Sequence, residues 1–393
     1  MDRPDQRVVI DAGAGATEGM SRVGGVQAVP RVLEELEFDP AATLAHVGVD
    51  ARLFADPNNL IRNALIGRML DHCVARTGRE DFAFRVGQHA RLASLGLVGE
   101  LAASAPDAGA ALRVIARFLS LNDGAAILSL AAKGTQSSLS YAIYEAGVEG
   151  TSQIYLMVSA VACNVMRDLV GPDWAPTEVR LPCRLPRDVR PFRDFFRAPV
   201  RFDSDRLSLV FPHRWLERPP PGADAALHAA LSERAAAFEA QASPGFPSQV
   251  RRAMRNLLLE GKGSIEAVAR IFSMHRRTLD RHLGASGFSF REVADEIRFE
   301  VACQLLRDTQ LPVSEIAASL HYGDASAFAH AFRRWSGRTP TQWRGSVSSA
   351  SARSCIEASG DSAMDHAPIS STAAPRTRSC FKSSSASLAR SSG

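Results

Sequence analysis

The run Ser264-Ile265-Glu266-Ala267-Val268-Ala269-Arg270-Ile271-Phe272 passes through Ser273-Met274-His275 into Arg276-Arg277-Thr278-Leu279-Asp280-Arg281-His282-Leu283. Residues 265, 268, 269 and 272 stand at i, i+3, i+4 and i+7, which is one buried face of a short helix. After the three-residue turn, Leu279 and Leu283 mark the buried side of a second helix. A residue as small as Ala269 lets the two helices cross closely, and such a crossing fixes the second helix of a helix-turn-helix at a set angle. Its outward face then carries Arg276, Arg277, Asp280 and Arg281, available to a DNA major groove.

The unit occurs twice. Val313, Ile316, Ala317 and Leu320 repeat Ile265, Val268, Ala269 and Phe272 at an offset of 48 residues, and Phe328 and Phe332 answer Leu279 and Leu283 at 49. Between the copies, Phe290, Val293, Ile297, Val301 and Leu305 recur at helical spacing. A straight connecting helix of about 18 residues would be roughly 27 Å long, and adjacent major-groove faces of B-DNA lie about 34 Å apart. The spacing predicts a rigid spacer that offers both second helices to successive turns of one duplex.

The run from Val313-Ser314-Glu315-Ile316-Ala317 through Phe328-Ala329-His330-Ala331-Phe332-Arg333-Arg334-Trp335-Ser336-Gly337-Arg338-Thr339-Pro340 to Trp343-Arg344 resembles the C-terminal signature of the AraC/XylS transcription regulators. The resemblance covers 264–344. It implies a sequence-specific regulator whose main partner is double-stranded DNA. Three positions depart from the family pattern. His321 stands where the family has Gly at the turn, so it either adopts a left-handed backbone at some cost or the turn differs. His330 replaces a frequent Arg, and His275 replaces a capping Ser, which predicts a weaker cap.

On the first unit the candidate DNA-contacting residues are Arg276, Arg277, Thr278, Asp280, Arg281 and His282. Arg277 and Arg281 lie one turn apart, and each can fork onto guanine O6 and N7, worth about 1–3 kcal/mol of discrimination per good pair. The competing reading is a solvated face in which Asp280 pairs with Arg276 or Arg277 along the helix. On the second unit the candidates are Ala325, Ser326, His330, Arg333 and Arg334. Small side chains there limit direct readout, and the two arginines suit phosphates. Trp335, Trp343, Phe328 and Phe332 are expected to be core, not stacking platforms.

The composition, 46% hydrophobic and 22% charged, is that of a globular protein with a large core. The net charge of +4 divides unevenly. Residues 248–344 hold 15 Lys/Arg against 10 Asp/Glu, whereas 1–247 hold 26 against 29. The anionic partner therefore belongs at the C-terminal end. The 6 cysteines show no C-x-x-C spacing, and no run of about 18 apolar residues occurs. These features suggest a reducing cytoplasm and no membrane. Cys163, inside an apolar helical run without a Gly-rich elbow, reads as a buried thiol and not as a nucleophile.

Residues 1–29 read as a flexible leader, and 30–242 as an α+β domain. Helices are expected from Arg31 to about Ala75, with starts at Asp39-Pro40 and Asp56-Pro57 and with Leu60-Ile61 inside the last. A hairpin is expected around Lys133-Gly134, then a long apolar helix from Gln153 to Leu169, strands at Glu178–Leu181, Val200–Phe202 and Leu207–Phe211, and a helix from Ala223 to about Gln241. Ser243-Pro244-Gly245-Phe246-Pro247 reads as the interdomain linker, and 345–393 as a disordered Ser-rich tail. The stretch Phe192–Phe202 and the Pro219-Pro220-Pro221-Gly222-Ala223-Asp224 exit resemble the arabinose-binding-like effector domains of a branch of the same family.

The expected architecture is an α+β N-terminal effector domain followed by an all-α C-terminal domain, 248–344, of two helix-turn-helix units joined by a long helix. Its expected partners are duplex DNA, a small-molecule effector of unidentified kind, RNA polymerase and a second copy of the chain. No cofactor, metal or catalytic residue is expected. Two other readings stay open: a DNA-binding module fused to a small-molecule enzyme, and a DNA-binding protein with no effector.

Overall fold

The computed structural model describes residues 19–143, 148–241, 246–259, 264–272 and 274–346. The first domain begins with strand β1 (Met20–Arg22) and helices α1 (Val29–Glu35) and α2 (Pro40–Ala45). Strand β2 (Leu60–Arg62) leads into α3 (Asn63–Thr77), α4 (Phe82–His89), α5 (Leu97–Ala103) and α6 (Ala108–Phe118). Then come the hairpin β3 (Ala126–Lys133) and β4 (Gln136–Ile143), helix α7 (Thr151–Val170), β5 (Glu178–Arg180), α8 (Arg190–Phe196), β6 (Val200–Arg201), β7 (Leu207–Pro212) and α9 (Ala225–Gln241).

The larger sheet has the order β3-β4-β7-β5-β6, antiparallel except for β5 beside β6. Its hairpin closes through Gly134-Thr135, one residue later than expected, because Lys133 pairs with Gln136 and Gly134 takes φ +61°. Helix α7 lies at the centre of the domain, with Ala160, Cys163, Met166 and Leu169 fully buried. It packs closely on α4 at Gly87, where an added Cβ would come within 2.2 Å of the Met157 carbonyl oxygen. By composition α7 is also the described helix apolar enough to cross a membrane, yet 67% of that stretch is buried inside the protein. It is a core helix.

Four local expectations are corrected. The leader ends before residue 29: Ser21 pairs with Ile61 in a β1-β2 ribbon, and Val23, Val26 and Val29 are buried. Leu60-Ile61 is therefore strand, not helix, because its partner lies about 40 residues away in sequence, where periodicity has no view of it. Asp56-Pro57 starts no helix, since the Asp56 carboxylate instead accepts the Asn58 N–H and closes a turn. Phe246 and Pro247, placed in the linker, open helix α10 (Phe246–Leu259). The remaining linker residues Ser243-Pro244-Gly245, the start of the leader and the Ser-rich tail from 347 onward lie outside the described residues.

The second domain adds α11 (Ile265–Ile271), α12 (Arg276–Ala285), α13 (Phe290–Asp308), α14 (Val313–Ser319) and α15 (Ala325–Ser336). It has two cores. Val250, Met254, Val268, Leu279 and Leu283 enclose the first with Val293 and Ile297 of α13. Ile316, Leu320, Phe328 and Phe332 enclose the second with Ala302, Leu305 and Leu306 from the other end of α13. One 19-residue helix thus belongs to both units and fixes their separation.

Candidate nucleic-acid interface

Each recognition helix is held by its cap and its buried face. Before α12, His275 is extended (φ −77°, ψ 146°), and its Nδ1 accepts the Arg277 N–H at 3.3 Å. An imidazole thus replaces the usual hydroxyl cap with a long bond. Leu279 and Leu283 are fully buried, which turns Arg277 and Arg281 outward into solvent. Neither arginine makes an ion pair or side-chain hydrogen bond among the described residues. Arg276 is also exposed and lies 3.5 Å from Glu266 of α11. Asp280 forms no ion pair with Arg276 or Arg277, so the intrahelical pairing weighed from the sequence is not formed. Thr278 and Asp280 are half-buried at the edge of this face, and the His282 ring packs 5.4 Å from the Phe246 ring of α10.

The second unit presents a different surface. Asp324 caps α15 by accepting the Ala327 N–H at 2.7 Å, and Gly337 ends the helix at φ +74°. Ser326, His330, Arg333 and Arg334 are exposed, and Ala325 is half-buried. Arg334 is engaged 3.0 Å from Asp295 of α13, while Arg333 forms no ion pair among the described residues. Phe328 and Phe332 are core as expected, with Trp335 and Trp343 half-buried against them. His321 adopts the left-handed backbone at φ +63°. Its Nε2 lies 3.1 Å from the Leu258 carbonyl oxygen of α10, a bond that ties the turn of the second unit to the first.

The model of the N-terminal arabinose-binding domain of AraC transcription regulator matches residues 38–220, and a helix-turn-helix domain matches 268–346. The chain belongs to the AraC family of transcription regulators. It is 28% identical to the HTH-type transcriptional regulator VirS of Mycobacterium tuberculosis over 319 residues, covering 80% of this chain and 93% of VirS. It is also 28% identical to the ornithine utilization regulator of Pseudomonas aeruginosa over 279 residues, 69% and 80% of the two chains. The crystal structure of CdpR from Pseudomonas aeruginosa is 25% identical, with 81% of this chain and 97% of that one covered and a TM-score of 0.42.

In this AraC-family regulator the N-terminal domain grips the spacer helix itself. Thr151, in the first turn of α7, donates its hydroxyl to Asp308 at the end of α13. Tyr155, one turn on, has its hydroxyl 3.5 Å from Gln304 Oε1 and accepts the Ile143 N–H at 3.2 Å. Arg184 donates to the Arg307 carbonyl at 2.9 Å, and Asp203 accepts the Gln310 N–H at 2.7 Å. The Arg184 bond satisfies a carbonyl that the end of α13 would otherwise leave unpaired, and Asp203 takes the N–H of Gln310 just beyond it. From the other domain, Arg252 of α10 donates to the Ala116 and Arg117 carbonyls at the end of α6.

A cavity of about 140 Å³, partly open to solvent, lies beside α7 in the N-terminal domain. Helix α7 lines it with Ile154, Met157, Val158, Val161 and Val165. Sequence reading assigned none of its residues to effector binding, because the lining comes from segments scattered between 21 and 165 whose apolar spacing marks burial and not a cavity. Burial pushes the Cys163 thiol of the same helix up to about 11 and the Cys73 thiol up to about 12. Neither forms the thiolate that nucleophilic catalysis needs near neutral pH.

Proposed function

We propose that this regulator senses a small molecule in the N-terminal cavity and passes the state of that cavity to the spacer helix between its two DNA-reading units. One observation carries the reading. Helix α7 lines the cavity and, from its first two turns, also holds α13 through Thr151 and Tyr155. A ligand that favours one placement of α7 therefore favours one placement of α13, and with it one arrangement of the two recognition helices. Such coupling requires different ligand affinity in the two arrangements. The chain acts as a non-enzymatic switch in a reducing cytoplasm, with RNA polymerase and a second copy of itself as further partners.

On DNA the labour is divided. Arg277 and Arg281 read bases, and Arg333 and Arg334 hold phosphates. The test of sensing is an electrophoretic titration of a selected DNA site with the full chain and its Tyr155→Phe variant, with and without metabolites that raise the melting temperature. Affinity for DNA is expected to change by about 5- to 150-fold for the wild type, the range of ordinary allosteric coupling. In the variant, which lacks the hydroxyl facing Gln304, the response should shrink. A wild-type affinity that stays the same for every stabilising metabolite would overturn the reading.

A further inference from the structure

The charge of the N-terminal half is unevenly spread. Residues 1–247 carry an excess of acidic groups, yet 184–201 hold 6 arginines and only 2 aspartates. All of those arginines are exposed. Arg190 is paired with Asp188 at 2.8 Å, and Arg187 with Glu80 at 3.5 Å. Arg184, Arg193, Arg197 and Arg201 form no ion pair among the described residues. Arg184 and Arg197 give their guanidiniums to backbone carbonyls, which have no net charge to cancel theirs. A basic patch therefore stands on an otherwise acidic domain, and the net charge of that domain conceals it.

The patch is fixed against the second DNA-reading unit. Arg184 holds the Arg307 carbonyl at the end of α13, and Asp203, two residues past Arg201, holds the Gln310 N–H in the turn before α14. Arg201 is tied to the same end, since its carbonyl accepts the Leu181 N–H at 2.9 Å. Arg344 joins the group from the C-terminal domain, donating to the Leu306 and Leu311 carbonyls. Burial, and then the like charge of Arg184, pull its guanidinium below the ordinary value. The carboxylates facing this corner are Asp203 and Asp308, and Asp308 already has Arg307 at 3.0 Å and the Thr151 hydroxyl. In a helix-turn-helix the first helix crosses the DNA backbone. Helix α14 is that helix in the second unit, so the patch stands beside the end of the unit that meets phosphates. We propose that residues 184–201 are a third DNA-contacting surface, with Arg187 and Arg201 on phosphates next to the site of the second unit. Such contacts position the protein and carry no base information. The inference rests on the second unit engaging the duplex, and it brings the domain that holds the cavity into direct touch with DNA.

The experiment is the salt dependence of DNA affinity, measured with the full chain on a selected site and on an unrelated duplex between about 50 and 200 mM salt. Arg187→Gln and Arg201→Gln are each expected to flatten the slope of log affinity against log salt by about 0.9, and the double variant by about twice that, on both duplexes. Both side chains are exposed, and the Arg187 pair with Glu80 is of the solvated kind that adds little to folding. Arg31→Gln on α1, which removes an exposed arginine paired with Glu35 outside the patch, is the control and should leave the slope unchanged. Phosphate ethylation interference with the wild type should reveal one or two sensitive phosphates beside the second unit that become insensitive in the double variant. A double variant with the wild-type slope, an equal change from Arg31→Gln, or a change confined to the selected site would overturn the proposal. Any of these with the selected site still bound would leave the two helix-turn-helix units as the whole interface, whereas loss of that site in the wild type would count against the DNA reading itself.

Discussion

Helices α12 and α15 occupy matching places in their units and face the solvent with different chemistry. On α12, Arg277 and Arg281 are exposed and make no ion pair or side-chain hydrogen bond among the described residues. On α15 the corresponding surface is built from Ala, Ser and His, and one of its two arginines is already paired with Asp295. The cores beneath are alike, with two fully buried side chains one turn apart in each helix. Duplication therefore preserved what sets the angle of the helix and left its outward residues to diverge. Long side chains with paired donors can distinguish bases, while short ones admit the backbone closely and meet thymine methyls.

The largest effect expected from this contrast is at α12. Arg281→Ala or Arg277→Ala should cost about 1–3 kcal/mol on the preferred site and relax base preference at one position, as read by selection from random DNA. If selection by Arg281→Ala returns the wild-type motif, base reading by α12 is wrong. Next in size, Arg333→Ala and Arg334→Ala should each weaken binding to all sequences alike and flatten the salt dependence by about one unit of slope. A changed motif in either variant would break the division between the units.

The link between the units gives a smaller effect whose size is set by two opposing quantities. A left-handed backbone costs a non-glycine residue roughly 1–2 kcal/mol, and the bond from His321 to the Leu258 carbonyl returns about 0.5–1.5 kcal/mol. His321→Gly removes both and should leave stability nearly unchanged. His321→Ala keeps the strained backbone and loses the bond, so it should be destabilised by about 1 kcal/mol in urea unfolding. Equal stability of the two variants would show that the bond does not hold the units together.

The smallest effect concerns pH at the junction. Desolvation, reinforced by the charge of Asp308 and partly offset by Arg307, pushes the Asp71 carboxyl up from 3.8 to about 6. Between those two values the folded chain holds more protons than the unfolded one. Stability from this group is therefore lost as pH rises from about 4 to about 6 and is level above. Asp71→Asn should raise the melting temperature at pH 7.5 and have a much smaller effect at pH 4.5. An equal shift at both would place the cause elsewhere.

The C-terminal half was almost wholly legible in the sequence because its helices are local and amphipathic. Leu279, Leu283, Phe328 and Phe332 fix which faces are buried, and the outward residues follow by geometry. The effect of His321 was legible as a choice between two backbones, but its bond to Leu258 was not, since that partner lies 63 residues away. In the N-terminal half, long periodic elements such as α7 were readable. The β1-β2 ribbon was not, because a three-residue strand among Gly and Ala carries no period and is defined by its distant partner. For the same reason Ser21, in the expected leader, gave no sign that it faces a cavity beside Asn63 and Asp123.

The central claim is that one spacer helix sets two unlike recognition helices into successive grooves of a single duplex. Methylation protection of a selected site by the full chain, with occupancy limited to one chain per site, tests it most directly. The account expects two protected major-groove patches about one helical turn apart, 10–10.5 base pairs, with Arg281→Ala altering guanine protection in only one of them. A single protected groove per chain would contradict it.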